Sequence, residues 1–151
     1  MKKIKNEDLA NALLAIDNSQ LFKSGKILEK EYDGYVSSIG ASVINAGLLP
    51  TLSFYTDIHK RSDQVRRYKL LKVIFAVMDS RAATQANNVD NGLLNYVLKK
   101  VYGPDYDRAR PGSLGNPSSK ELATQKKRFL EAAVAVKLAM RNYQHSDSSN
   151  S

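Results

Sequence analysis

The sequence contains no cysteine and no tryptophan. Without cysteine there is no disulfide framework, no thiolate nucleophile and no thiolate metal site. Long hydrophobic runs are missing too. Nowhere do about eighteen apolar residues follow one another, so no segment is expected to span a membrane. The start, Met1-Lys2-Lys3 and then Leu9 to Ile16, imitates a signal peptide only faintly, because Glu7, Asp8 and Asn11 break the pattern. A cytoplasmic protein is expected instead. Proline is scarce, four in all, and Pro104, Pro111 and Pro117 fall between residues 103 and 117 with Gly103, Gly112 and Gly115. That clustering marks one long, mobile loop and leaves the rest of the chain open to uninterrupted helices. Acidic residues are the last shortage: 15 against 23 Lys and Arg, a net charge of +8. An acidic partner follows, with nucleic acid ahead of a membrane surface or an acidic protein.

What is present suits a single helical domain. The chain has 151 residues, 42% of them hydrophobic, enough for one core. Asn6 is an N-cap candidate for a first helix with Leu9, Leu13 and Ile16 on one face, ending near Lys23 and Gly25. A second helix carries Leu28, Tyr32, Tyr35, Ile39, Val43 and Ala46, and ends at Gly47. Gly34 and Gly40 inside it point to a close helix contact or a bend. Pro50 opens a short third helix carrying Leu52, Tyr55 and Ile58. Ser62 and Asp63 start a fourth, reaching about Ala86 with Leu70, Leu71, Ile74, Val77 and Met78 inward. Asp90 caps a fifth with Leu93, Leu94, Val97 and Val101, stopped by Gly103-Pro104. Ser118-Ser119-Lys120-Glu121 is a capping box for a last helix to about Tyr143, and the tail from His145 to Ser151 is expected to be disordered. No segment alternates as a strand should. The expectation is an all-α single-domain bundle of five to six helices over residues 1–144, with a long loop before the last helix.

Catalytic chemistry finds little to stand on. His59 and His145 are the two histidines, and neither belongs to a metal-spaced set. Asp57 and His59 are two residues apart, so a helix points them to different sides. Asp105 and Asp107 share the loop without the spacing of a calcium site, and turn formation explains them. No catalytic residue, metal or cofactor is expected, and the chain is read as a non-enzyme. Tyr102 and Tyr106 flank the loop, where packing is the first explanation and stacking on exposed bases the second.

Basic faces say more. At about 100° per residue, Lys126, Lys127, Lys137 and Arg141 share one face of the last helix, with Leu130 and Val134 between them. Leu122, Phe129, Ala133, Val136, Met140 and Tyr143 make its core stripe. Arg66, Lys69 and Lys72 are placed away from the apolar stripe of the fourth helix, in a stretch (60 to 72) with six basic residues and Asp63 as its only acid. Such faces contact phosphates without reading bases. The same Leu130 and Val134 also allow a protein contact covered by lysine stems.

The stretch Glu31-Tyr32-Asp33-Gly34-Tyr35-Val36-Ser37-Ser38-Ile39-Gly40-Ala41, continuing through Gly47-Leu48-Leu49-Pro50-Thr51-Leu52-Ser53-Phe54-Tyr55, resembles the small all-helical subunit of the type III-B CRISPR effector, the Cmr complex. The last helix matches that family in placement and length, although Ala135 to Met140 keep only Lys137 of its usual pattern. The resemblance implies a non-catalytic subunit of an antiviral ribonucleoprotein. It implies guide RNA and target RNA, other effector subunits and neighbouring copies of the chain as partners, and no membrane. The matched positions are core and helix-junction residues, so the candidate RNA contacts (Lys126, Lys127, Lys137 and Arg141, with Arg66, Lys69 and Lys72 as a second patch) rest on charge placement. A helical, sequence-specific DNA-binding regulator is the alternative, although no short helix-turn-helix is evident.

Overall fold

The computed structural model describes residues 4–19, 21–55, 62–79, 92–107 and 109–146. Expectations that fall on Asp57, Ile58, His59, Asp90 or residues 147–151 lie outside them. Six helices occur among the described residues: α1 (Asn6–Asp17), α2 (Glu31–Ala46), α3 (Leu48–Tyr55), α4 (Ser62–Met78), α5 (Gly92–Tyr102) and α6 (Ser119–Met140). The architecture is predominantly helical, as the patterning predicts.

Helix α6 is the axis of the bundle, packed by α1, α2, α4 and α5. Its inward face explains how four helices fit around one. Ala132, Ala133, Ala135 and Ala139 are buried among Phe129, Val136 and Met140, and small side chains let neighbouring backbones approach. Phe129 fills the remaining space against Phe75 of α4, ring centroids 5.8 Å apart, and Phe75 meets Tyr96 of α5 edge-on at 5.9 Å. The start of α6 follows its capping signal: Ser118 Oγ accepts from the Glu121 backbone N–H at 3.1 Å. In place of the reciprocal half of the box, the Ser118 N–H donates to the Val101 carbonyl at 2.8 Å, and Glu121 Oε1 accepts from Gln125 Nε2.

Three short strands, which the sequence does not announce, close one end. Strands β1 (Phe22–Ser24) and β2 (Ile27–Glu29) pair antiparallel about Gly25, whose φ of +55° is left-handed, and β3 (Gln144–Ser146) adds parallel to β2. Helix α1 therefore stops at Asp17, well before Lys23, and Leu28 belongs to β2 and not to α2. Three-residue strands are too short to show a period of two, which is why patterning passes over them. The expected disorder gives way at His145 and Ser146. These residues pair with Leu28 and Glu29, and His145 Nε2 hydrogen-bonds to the Met140 carbonyl at 2.8 Å. Just before them, Tyr143 reaches α1, its hydroxyl 2.6 Å from Asp17 Oδ1, while its ring packs on Phe22.

Helix α2 ends at Gly47 (φ +100°), as expected. Its internal glycines do not mark a close contact. A Cβ built at Gly34 or Gly40 meets nothing within 4 Å. Pro50 falls in the first turn of α3, which begins two residues earlier at Leu48.

Candidate nucleic-acid interface

The strand pairing fixes how α2 lies beside α6. Strand β2 leads into α2, β3 follows α6, and the two strands run parallel side by side. Helix α2 therefore leaves the sheet end as α6 arrives at it, and the pair is antiparallel. Lys137 marks the crossing, its Nζ donating to Ser37 Oγ. Two turns along α2 from Ser37 comes Ile44, 62% exposed, and two turns back along α6 from Lys137 comes Leu130. Exposed apolar side chains therefore occur on both helices, Ile44 on α2 and Val134 on α6, and exposed basic ones on α6.

The inner face of α6 is fully committed to packing, so its outer face is what the bundle presents. Lys127 and Arg141 are exposed there, Lys126 and Leu130 are half-buried, and Val134 is 49% exposed between them. Among the described residues neither Lys127 nor Arg141 has an ion-pair partner. Half-buried Glu131 sits at the edge of the face. The predicted stripe of Lys126, Lys127, Lys137 and Arg141 is therefore one surface, with Lys137 tied to α2 at its margin.

The second predicted patch divides. Arg66 does not lie away from the apolar stripe of α4: it begins the i, i+4, i+7, i+11 row that continues through Leu70, Val73 and Val77, all buried. Its Nε pairs with Glu29 Oε2 of β2 at 3.1 Å. A side-chain hydrogen bond with Tyr35 and, after it, the charge of Glu29 outweigh burial and hold the guanidinium firmly protonated. Lys69 and Lys72 do fall on the outer side of α4, both half-buried. Burial pushes the Lys72 ammonium down from its ordinary value, the Lys69 charge adds to that, and its Nζ lies 5.4 Å from the Tyr68 ring centre.

Arg67, which the charge pattern alone does not single out, has a structural role. Its guanidinium lies over the rings of Tyr35 (4.8 Å) and Tyr55 (5.6 Å), linking α4 to α2 and α3. Its buried Nε has no hydrogen-bond partner among the described residues. The signal available in sequence was an arginine beside a row of tyrosines, which proximity in space alone could have joined. Arg128 is likewise structural. Facing inward on α6, it holds the buried carboxylate of Asp8 through Nη1 (3.1 Å) and Nη2 (3.4 Å). Asp105 and Asp107 lie in the loop after α5, where Asp107 Oδ1 accepts from the Ala109 N–H at 2.9 Å, the turn role expected of it. No group of three His, Asp or Glu side chains able to hold a metal occurs among the described residues. Nor is any described helix long and apolar enough to cross a membrane.

A family model of CRISPR-associated proteins, Cas_Cmr5, matches residues 4–110, well over half of the chain. The chain belongs to the Cas_Cmr5 family. It is therefore a CRISPR-associated Cmr subunit, and antiviral defence is its setting. No curated protein and no solved structure matches it. The matched span takes in Arg66, Lys69 and Lys72 and stops before α6, so the stripe from Lys126 to Arg141 lies beyond what this Cas_Cmr5 match covers.

Proposed function

We propose that this Cas_Cmr5 protein is a non-catalytic subunit of a type III-B effector that contacts the backbone of guide and target RNA through the outer face of α6, in the cytoplasm, while packing against other subunits and further copies of itself. One observation carries the reading: Lys127 and Arg141, with Lys126 and Lys137 beside them, stand on a helix held rigid by four neighbours. Cations at fixed spacing on a rigid element contact successive phosphates without reading sequence. Such a role asks for placed charge and no catalytic group. Of the α4 cations, Lys69 and Lys72 remain candidates for a second contact, whereas Arg66 is engaged by Glu29 and Tyr35.

The test is the salt dependence of RNA binding. Replacing Lys126, Lys127 and Arg141 together by alanine is expected to weaken binding to single-stranded RNA and to reduce the log–log salt slope by about 2, at roughly 0.7 per lost phosphate contact. An unchanged slope moves the RNA face elsewhere, and sequence-selective binding of duplex DNA by the intact chain overturns the reading.

A second reading has its own observation. Val134, 49% exposed, and half-buried Leu130 put apolar surface among the cations of the α6 face, which phosphate does not need and a protein partner does. Loss of subunit assembly in Val134→Asp with RNA binding retained favours it.

A further inference from the structure

The loop after α5 borders an open cleft that the α6 face does not use. It has a volume of about 460 Å³, and its walls include Lys99 of α5 and Asp105, Tyr106, Asp107 and Arg110 of the loop. That size lies within the range of small-ligand pockets.

The cleft is built by the local chain. Gly103 (φ +104°) ends α5 and turns it back, its N–H donating to the Lys99 carbonyl at 2.9 Å. Hydrogen bonds within the loop then hold the walls. Tyr106 N–H donates to the Gly103 carbonyl, Arg110 Nη2 donates to the Asp105 carbonyl at 2.9 Å, and Ser113 Oγ donates to the Asp107 carbonyl at 2.7 Å. Tyr102 stacks on Tyr106, ring centroids 5.7 Å apart and planes 28° from parallel. Tyr102 does not line the cleft and Tyr106 does. The Tyr106 side chain is thus braced by a second ring and also forms part of the cleft wall.

We infer that this cleft is a binding site for one unpaired nucleotide of a single strand. An aromatic ring already backed by a second ring is a stacking platform for a base, and it loses little freedom when a base arrives. Lys99 and Arg110 supply the cations for the attached phosphate. Asp105 takes one guanidinium hydrogen of Arg110 on its backbone carbonyl, and among the described residues the other four N–H donors are left to serve an anion. The Asp105 carboxylate, and Oδ2 of Asp107 whose Oδ1 is taken by the Ala109 N–H, accept hydrogen bonds, which favours base edges carrying an exocyclic amine: adenine, guanine or cytosine. Uracil carries none. The choice of RNA as the polymer rests on the reading above, whereas the site rests on the geometry of the cleft.

The intact chain titrated with AMP, GMP, CMP and UMP, and separately with ribose 5-phosphate, tests this by NMR of the Tyr102 and Tyr106 ring protons. Saturable shifts are expected with the first three nucleotides, weaker binding with UMP, and none with ribose 5-phosphate. Tyr106→Ala and Tyr106→Leu are expected to lose about tenfold or more in affinity for CMP, the measured worth of a stacked base, and Tyr106→Phe to retain it. The leucine variant keeps an apolar side chain in place should the alanine variant fold poorly. Lys127→Ala/Arg141→Ala is expected to bind CMP as well as the parent, which separates this cleft from the α6 face. Equal shifts with ribose 5-phosphate and CMP, or full CMP affinity in both Tyr106→Ala and Tyr106→Leu, overturn the proposal.

Discussion

Helices α4 and α6 both carry clusters of basic residues, and the bundle treats them differently. On α4, Arg66 is engaged by Glu29 and Tyr35, Arg67 lies over Tyr35 and Tyr55, and Lys72 approaches the Tyr68 ring. On α6 the exposed Lys127 and Arg141 have no ion-pair partner among the described residues, and one inward cation, Arg128, serves the fold by holding Asp8. The difference teaches that local charge density and availability are separate properties. An arginine on the inner row of a helix must find acceptors or rings, because its charge is costly to bury without them. A lysine on the outer row has water, and keeps its charge for a partner.

The sharpest break in that contrast is within α6. Arg128→Ala leaves the Asp8 carboxylate, 7% exposed, without its counter-charge. A loss of about 3 kcal/mol in unfolding free energy is expected, read by urea denaturation, with RNA affinity of the folded fraction unchanged. A stability loss no larger than that of Lys127→Ala would show that inward and outward cations on α6 do not differ as described.

Between the helices the expected effect is smaller. Arg66→Ala is expected to cost about 1 kcal/mol, since its pair with Glu29 is partly exposed. Lys127→Ala is expected to stay within about 0.5 kcal/mol, as exposed substitutions do. For RNA affinity the order should reverse, Lys127→Ala weakening binding and Arg66→Ala leaving it nearly intact. Measuring both quantities on both variants decides whether α4 and α6 divide the work.

The structural half also carries a pH dependence. Burial, with Glu29 adding to it, pushes the Tyr32 phenol from 10.0 up to about 12. Burial and then the bond to Asp79 do the same for Tyr96, and burial and then Asp17 for Tyr143, each reaching about 12. Folding therefore favours the neutral phenols. Their contribution is complete below pH 10 and is lost as pH rises toward 12. Thermal melts across that window are expected to show falling stability, with a shallower fall in Tyr96→Phe. An equal fall in that variant would assign the alkaline loss to other groups.

Much of this fold was legible in the chain. The capping residue Ser118, the stop at Gly103 and the apolar rows of α4 and α6 are local signals, and each works within about one helical turn. The family resemblance, carried by residues 31 to 55, lies inside the span that the Cas_Cmr5 model matches. The strands were not legible, because β3 gains its partner from β2 more than a hundred residues earlier and three residues show no period. The inward position of Arg66 is hidden from the sequence for a related reason. The leucines and isoleucine dominate the pattern of the fourth helix, and the row running from Arg66 through Val73 to Val77 is visible only with Glu29 and Tyr35 packed against its end.

By itself, then, the sequence determined that this protein is a helical bundle with an excess of positive charge and one loop before its last helix. Helical period, caps and composition act between near neighbours and need no fold to be read. Only the tertiary structure decided which cations are spent on the protein and which face outward. That choice depends on acceptors and rings brought from distant segments: Glu29 and Tyr35 to Arg66, and Asp8 to Arg128 across 120 residues. The surplus on α6 became a surface because four helices occupy its other side.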